Sequence, residues 1–201
     1  MGIKERRLFH KQTLRQNIIA AAQTIFKEEG SWQGVTIRKI ATTINYSLPT
    51  IYEYFENKNE LLKVLQQEGY ATLCSILSER LQQIRVDPYE VLTIVAQVYW
   101  DFALECPELY QIMHNQTDPL SDHKESIFFI RTTVQQALEQ ILHQGKKVEL
   151  TQQEMNDNID AMRGIIHGFI MLALIGSMEK KHAHTLMMQT LHNTIRSGYQ
   201  G

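Results

Sequence analysis

Thr36-Ile37-Arg38-Lys39-Ile40-Ala41-Thr42-Thr43-Ile44-Asn45-Tyr46-Ser47-Leu48-Pro49-Thr50-Ile51-Tyr52-Glu53-Tyr54-Phe55 contains two short helical patterns with a break between them. Ile37, Ile40, Ala41 and Ile44 share one side of a helix, because residues three and four apart lie on one face. Thr36 stands where an N-cap belongs, with a hydroxyl able to accept from an otherwise unpaired backbone N–H. Asn45 ends the stripe and tolerates the left-handed conformation that a tight turn needs. Ser47 can cap the next helix, with Pro49 in its first turn, where a missing N–H costs little. Ile51 and Phe55 are its inward pair. A pair of helices joined by about three residues can lay the second in a major groove while the first crosses the backbone. On pattern alone, a helical hairpin inside an ordinary bundle fits as well.

Outward from this stretch, periods of three and four recur and strand signals are almost absent, so the chain reads as all-α. Leu14, Ile18, Ala21, Ala22, Ile25 and Phe26 form a first stripe, stopped by Gly30. A long helix is expected from Lys58 toward Arg85, and Asp87-Pro88 starts the next. Pro107 opens a short helix through His114, and the polar run from Asn115 to Asp122 reads as a loop. Two long helices follow, roughly Asp122 to Gln144 and Thr151 to Met178, with Gly145 as the stop between them. A last helix runs from about His182 to Ser197.

The 201 residues are 43% hydrophobic, which excludes a disordered or collagen-like chain and allows a small domain joined to a medium one. Net charge is only −2, so affinity for nucleic acid has to be local. Residues 1–60 hold nine Lys and Arg against six Glu, which leaves +3 there and −5 in the remainder. Cys74 and Cys106 read as small core residues, and no secretory h-region follows the basic start. The apolar run from Ile165 to Ile175 is too short to cross a bilayer. The reading is a soluble cytoplasmic protein with no membrane partner. His182 and His184 have no third ligand nearby, so neither a metal nor a cofactor is expected.

The letters of the opening stretch carry more than its periodicity. Val35 to Ala41, then Ser47, Thr50 to Phe55, Lys58 and Leu61-Leu62 closely resemble the DNA-binding domain of TetR-family regulators, over about the first 60 residues. Asn45 stands where that family usually has glycine, and Asn accepts the same turn geometry. The resemblance implies an N-terminal three-helix helix-turn-helix domain, residues 1–60. A helical-bundle ligand-binding and dimerisation domain, residues 61–201, follows it.

The implied partners are double-stranded operator DNA and a second copy of the chain. The resemblance also implies that Thr36, Thr50, Tyr52, Tyr54 and Lys58 touch phosphates, which suits hydroxyls and an ammonium at helix starts. Lys39 and Ser47 belong to the same expected surface. For base reading, Leu48 and Pro49 suit thymine methyls, and Glu53 either accepts from a cytosine amino group or faces solvent. Lys4, Arg6, Arg7 and Lys11 form either an arm that follows DNA or a solubilising tail.

Further along, Tyr99 to Leu104 with Pro107 to Tyr110 and Met113 resembles the middle of one common type of TetR-family ligand domain. Arg163-Gly164-Ile165-Ile166-His167-Gly168 resembles another segment of that type, with Arg163 where tryptophan is usual. The resemblance implies a cavity for an apolar or aromatic effector, with Tyr70, Tyr99, Trp100, Phe102, Tyr110, Met113, His114 and His167 as candidate lining. It also implies a four-helix dimer seam, for which Ala161, Gly164, Ile165, Gly168, Phe169, Leu172 and Leu191 are candidates. Residues of these types are more often plain core. The expected function is a ligand-responsive homodimeric repressor. The alternative is a helical interaction module of the same shape that binds a protein instead, and no nucleophile, paired carboxylates or phosphate loop points to an enzyme.

Overall fold

A computed structural model of the chain describes residues 2–82, 87–114, 124–145 and 150–199. They are all-α, as expected, and form α1 (Ile3–Glu29), α2 (Ile37–Thr43), α3 (Leu48–Tyr52), α4 (Lys58–Gln82), α5 (Pro88–Glu105), α6 (Pro107–Met113), α7 (Lys124–Gln144), α8 (Gln152–Leu174) and α9 (Lys180–Tyr199), with a single 3-10 turn at Trp32–Gly34. The expected loop from Asn115 to Asp122 lies outside the described residues, as does the end of α4 toward Arg85. The described residues fall into two compact units, one of residues 2–69 and 108–114 and one of residues 70–82, 87–107, 124–145 and 150–199. The boundary expected at 60/61 falls inside α4.

The signals read from the sequence are the ones that end and begin these helices. Gly30 closes α1 in the left-handed conformation, φ 66°. Asp87 caps α5, with Pro88 at the first position. Thr151 and Glu154 form a reciprocal capping box on α8. Its other end differs from expectation. Gly176 takes φ 74° and α8 stops at Leu174, so Met178 lies beyond the helix, its N–H bonded to Leu172 O at 3.1 Å. α9 begins at Lys180, before His182.

In the first unit, Leu14, Ile18, Ala22, Ile25 and Phe26 of α1 pack with Ile37, Ile40, Ile51, Phe55 and the start of α4. Short α6 belongs to this unit. Gln66, the buried polar residue among the described ones, donates through Nε2 to Ile112 O at 3.2 Å. Gly69 makes that approach possible, because a Cβ there would lie 2.5 Å from Met113 Sδ.

The second unit packs α5 against α7 and α8 against α9, with α5 also touching α8 and α9. The core of α8 is Met155, Ile159, Met162, Ile166, Ile170 and Ala173, spaced by three and four. Arg131 on α7 clamps α8, with Nη1 2.6 Å from Asp160 and Nη2 3.2 Å from Asn156. No helix among the described residues is long and apolar enough to cross a membrane.

Candidate nucleic-acid interface

The turn between α2 and α3 closes as a Schellman motif. Asn45 takes φ 56°, the Tyr46 N–H bonds to Ala41 O at 2.9 Å, and the Asn45 N–H bonds to Thr42 O at 3.2 Å. Both caps form as the sequence indicates. Thr36 Oγ1 accepts from Lys39 N at 3.1 Å and Ser47 Oγ accepts from Thr50 N at 3.4 Å. Thr36 thereby keeps its own hydroxyl proton for an outside acceptor. Ser47 Oγ and Thr50 Oγ1 lie 2.8 Å apart and share one proton, which leaves the other available.

Ile51 and Phe55 anchor α3 from below, although Phe55 lies past the end of the helix at Tyr52. Above them, Pro49, Tyr52 and Glu53 are exposed, while Leu48, Thr50 and Tyr54 are half-buried. Leu48 and Tyr54 pack against the core of the unit, so each offers only part of its surface. Thr36, Lys39 and Ser47 are exposed on the same unit. Reading the sequence for caps and anchors passed over Tyr46, which is 38% exposed in the turn, and Arg38, exposed on α2. Their positions between helix signals, next to Ser47 and Lys39, were the available clue.

The two lysines are turned inward onto the 3-10 turn. Lys39 Nζ sits 2.5 Å from Glu29 Oε1 and donates to Gly34 O at 3.0 Å. Lys58 Nζ donates to Trp32 O and, at 3.5 Å, to Gln33 O, and it lies 5.2 Å from the centre of the Trp32 ring. An ammonium has three donors, so this geometry leaves Lys58 one for a further acceptor. Half-burial holds its pKa below the ordinary lysine value. A charge-assisted bond to a carbonyl contributes about 1.5–3 kcal/mol, so Lys58→Met is expected to lower the stability of the protein by about 2 kcal/mol. Urea denaturation checks this, and an unchanged midpoint would mean that the brace carries no load.

The basic residues at the start of the chain do not form a loose tail. Lys4, Arg6, Arg7 and Lys11 are part of α1, in an exposed helical extension.

The candidate lining residues divide between the units. Tyr110, Met113 and His114 are in the first, where the Tyr110 and His114 rings lie 4.6 Å apart. Tyr70, Tyr99, Trp100, Phe102 and His167 are in the second. Burial pushes the Tyr70 and Tyr99 phenols above their ordinary pKa, and burial together with Arg163 pushes His167 below its own. All three are therefore neutral at pH 7. The Trp100 and His184 rings lie 5.0 Å apart at a tilt of 57°, and His184 Nε2 is 2.9 Å from Gln97 Oε1, so this histidine is held by a part-buried polar contact. The described residues bring no three His, Cys, Asp or Glu together as a metal site, and Cys74 and Cys106 form no disulfide.

Of the candidate seam residues, Ala161, Gly164, Gly168 and Leu172 are exposed, and Ile165 and Phe169 are half-buried. A Cβ at either glycine would meet nothing within 4 Å. Leu191 differs, being 4% exposed within the core of a single chain, so it offers no surface to a partner.

Comparison with known proteins agrees with this architecture. The curated repressor AcnR of Corynebacterium diphtheriae, described as an HTH-type transcriptional repressor, is 31% identical over 65 residues. That match takes in 32% of this chain, which spans about a third (34%) of the length of that relative. Among solved structures, a Rhodococcus sp. RHA1 protein with unknown function superposes with a TM-score of 0.74 at 18% identity, over 94% of this chain and 96% of that one. The TetR-family regulator PfmR of Thermus thermophilus superposes with a TM-score of 0.67 at 18% identity, over 89% and 97%. At such identities the likeness establishes the fold. Residues 18–65 match the model for bacterial regulatory proteins of the tetR family, and residues 92–193 match the model for the tetracyclin repressor-like C-terminal domain. As the second match alone spans half of the sequence and the first covers the helix-turn-helix, the chain belongs to the tetR family of bacterial regulatory proteins, a family of DNA-binding transcriptional regulators.

Proposed function

We propose that this protein is a ligand-responsive homodimeric repressor that binds double-stranded operator DNA through α2 and α3. The observation that carries this reading is the exposed surface of the first unit, where Thr36, Ser47, Pro49, Tyr52 and Glu53 face outward over an anchored α3. Hydroxyls of Thr36, Ser47, Thr50, Tyr52 and Tyr54 contact phosphates, and Lys58 adds its remaining donor. Lys39 contributes less, because Glu29 already neutralises it. Tyr46 joins this set as a further phenol beside Ser47. Leu48 and Pro49 read thymine methyls, and Glu53 a cytosine amino group. With no guanidinium in α3 to fork onto guanine, the half-sites are predicted to be rich in A·T pairs apart from the pair that Glu53 reads.

Dimerisation uses the open stripe of α8. Ala161, Gly164, Gly168 and Leu172 follow helical spacing, and small residues along such a line let two helices approach closely. The effector is a small, apolar or aromatic compound held in the second unit near Tyr70, Tyr99, Trp100, Phe102 and His167. It releases DNA by binding better to the state in which the two helix-turn-helix units are wrongly spaced.

Selection from random duplexes with wild type and two variants tests the division of labour. Tyr54→Phe is expected to weaken binding to every sequence alike, whereas Leu48→Ala is expected to change which sequence is selected. Unchanged affinity and an unchanged selected sequence in both variants would remove α3 from the interface.

A further inference from the structure

α1 runs well past the core of its unit. Residues 4–13 are all exposed, and Leu14 is the first buried residue after them. At 1.5 Å per residue, Lys4 stands about 15 Å beyond Leu14 along the helix. The faces of this extension are not random. Lys4, Arg7 and Lys11 are spaced by three and four, and the same spacing carried onward reaches Leu14, Ile18, Ala22 and Ile25, all buried. The cations therefore continue the buried side of α1, a helix that packs onto α2 and the 3-10 turn. That side changes from apolar to basic between Leu14 and Lys11, where burial gives way to exposure. Arg15 marks the change, with its guanidinium 5.4 Å from the centre of the Phe55 ring, just past the end of α3. Glu5, the acid within the extension, is turned onto Gly2 N at 2.7 Å.

We propose that the α1 extension is a second DNA-contacting element, in which Lys4, Arg7 and Lys11 bind backbone phosphates flanking the base pairs read by α3. The inference rests on the DNA-binding reading above and adds contacts that α2 and α3 do not make. Charge selects the occupant. Three aligned cations on a chain of net charge −2 need a dense array of anions, and duplex DNA carries one negative charge per about 1.7 Å of axis. A membrane surface fits less well, because the exposed apolar side chains are split. Leu8 borders the basic side, while Phe9 lies opposite it, so no single apolar face forms.

The test uses two operator duplexes of the sequence returned by random selection, one trimmed to the selected base pairs and one with about ten further mixed-sequence pairs on each side. Wild type is compared with the full chain carrying Lys4→Gln, Arg7→Gln and Lys11→Gln, since Gln keeps helix propensity. Wild type is expected to bind the long duplex more tightly than the trimmed one, and the variant to lose that difference. On the long duplex the slope of log K against log salt is expected to shrink in magnitude by about 2–3 per bound chain, at ~0.9 per phosphate. A variant with the wild-type slope on the long duplex, or a wild type indifferent to duplex length, would overturn the extension and leave the helix-turn-helix reading standing. Failure of wild type to select any duplex overturns both. Sedimentation with phosphatidylserine vesicles that the three substitutions abolish, with DNA binding unchanged, would assign the surface to membrane instead.

Discussion

Replacing Gly168 by glutamate is expected to leave a folded monomer at concentrations where the wild type is a dimer, and to cut operator affinity about a hundredfold or more, because two linked half-site contacts become one. A side chain at this position meets nothing within 4 Å in the single chain, so the substitution has no steric reason to unfold it. Glycine is also a poorer helix former than glutamate, so α8 itself gains slightly. At a seam of two close helices the same carboxylate has to be desolvated without a partner, at a cost of several kcal/mol. Sedimentation equilibrium with circular dichroism separates the outcomes. An intact dimer of the variant would place the interface on another face.

Truncating Phe55 and truncating Tyr52 should produce opposite signatures, although the two residues are neighbours around the end of α3. Phe55 is 1% exposed and sits beneath Arg15, and Phe→Ala in a core costs about 3–5 kcal/mol. Against the 5–15 kcal/mol total stability of ordinary proteins, that loss is enough to unfold the first unit on mild warming. Tyr52 is 53% exposed, so Tyr52→Ala should change the melting midpoint little while weakening DNA binding by roughly tenfold, as for a lost phosphate contact with its aromatic surface. Thermal melts and binding titrations on both variants check this. A stable Phe55→Ala protein, or a Tyr52→Ala protein with wild-type affinity, would contradict the division of α3 into an anchored side and a DNA side.

The local grammar of the fold was legible because caps and turns are decided by a few adjacent residues. Thr36, Asn45, Ser47, Asp87 and Gly30 each act within about four residues of their own position, and each does what its chemistry indicates. Contacts made across the sequence were not legible. The Lys58 ammonium reaches the carbonyls of Trp32 and Gln33, some 25 residues earlier, and Lys39 is claimed by Glu29, so two residues of the expected DNA-binding surface are largely occupied within the protein. Nor does periodicity say which of two apolar sides meets a partner. Leu191 and Gly168 both belong to apolar helical stripes, yet one is buried within its own chain and the other open. The aromatic run from Tyr99 to His114 is continuous in sequence but divides between two units at Pro107, because α6 packs with the start of the chain. The end of α8 was misjudged for a simpler reason. Apolar letters continue to Met178, but Gly176 takes a left-handed conformation that stops the helix first.

The most direct measurement is a mobility-shift titration of the wild-type protein on duplex DNA from upstream of its own coding region, repeated between about 50 and 200 mM salt. If the α2–α3 surfaces of a dimer neutralise ~6 phosphates, log K should fall with log salt at a slope of at least about −5, and a scrambled duplex of equal length should bind orders of magnitude more weakly. A folded protein that retards neither duplex at the lowest salt, or that binds both equally with no dependence on salt, would contradict operator binding through the helix-turn-helix.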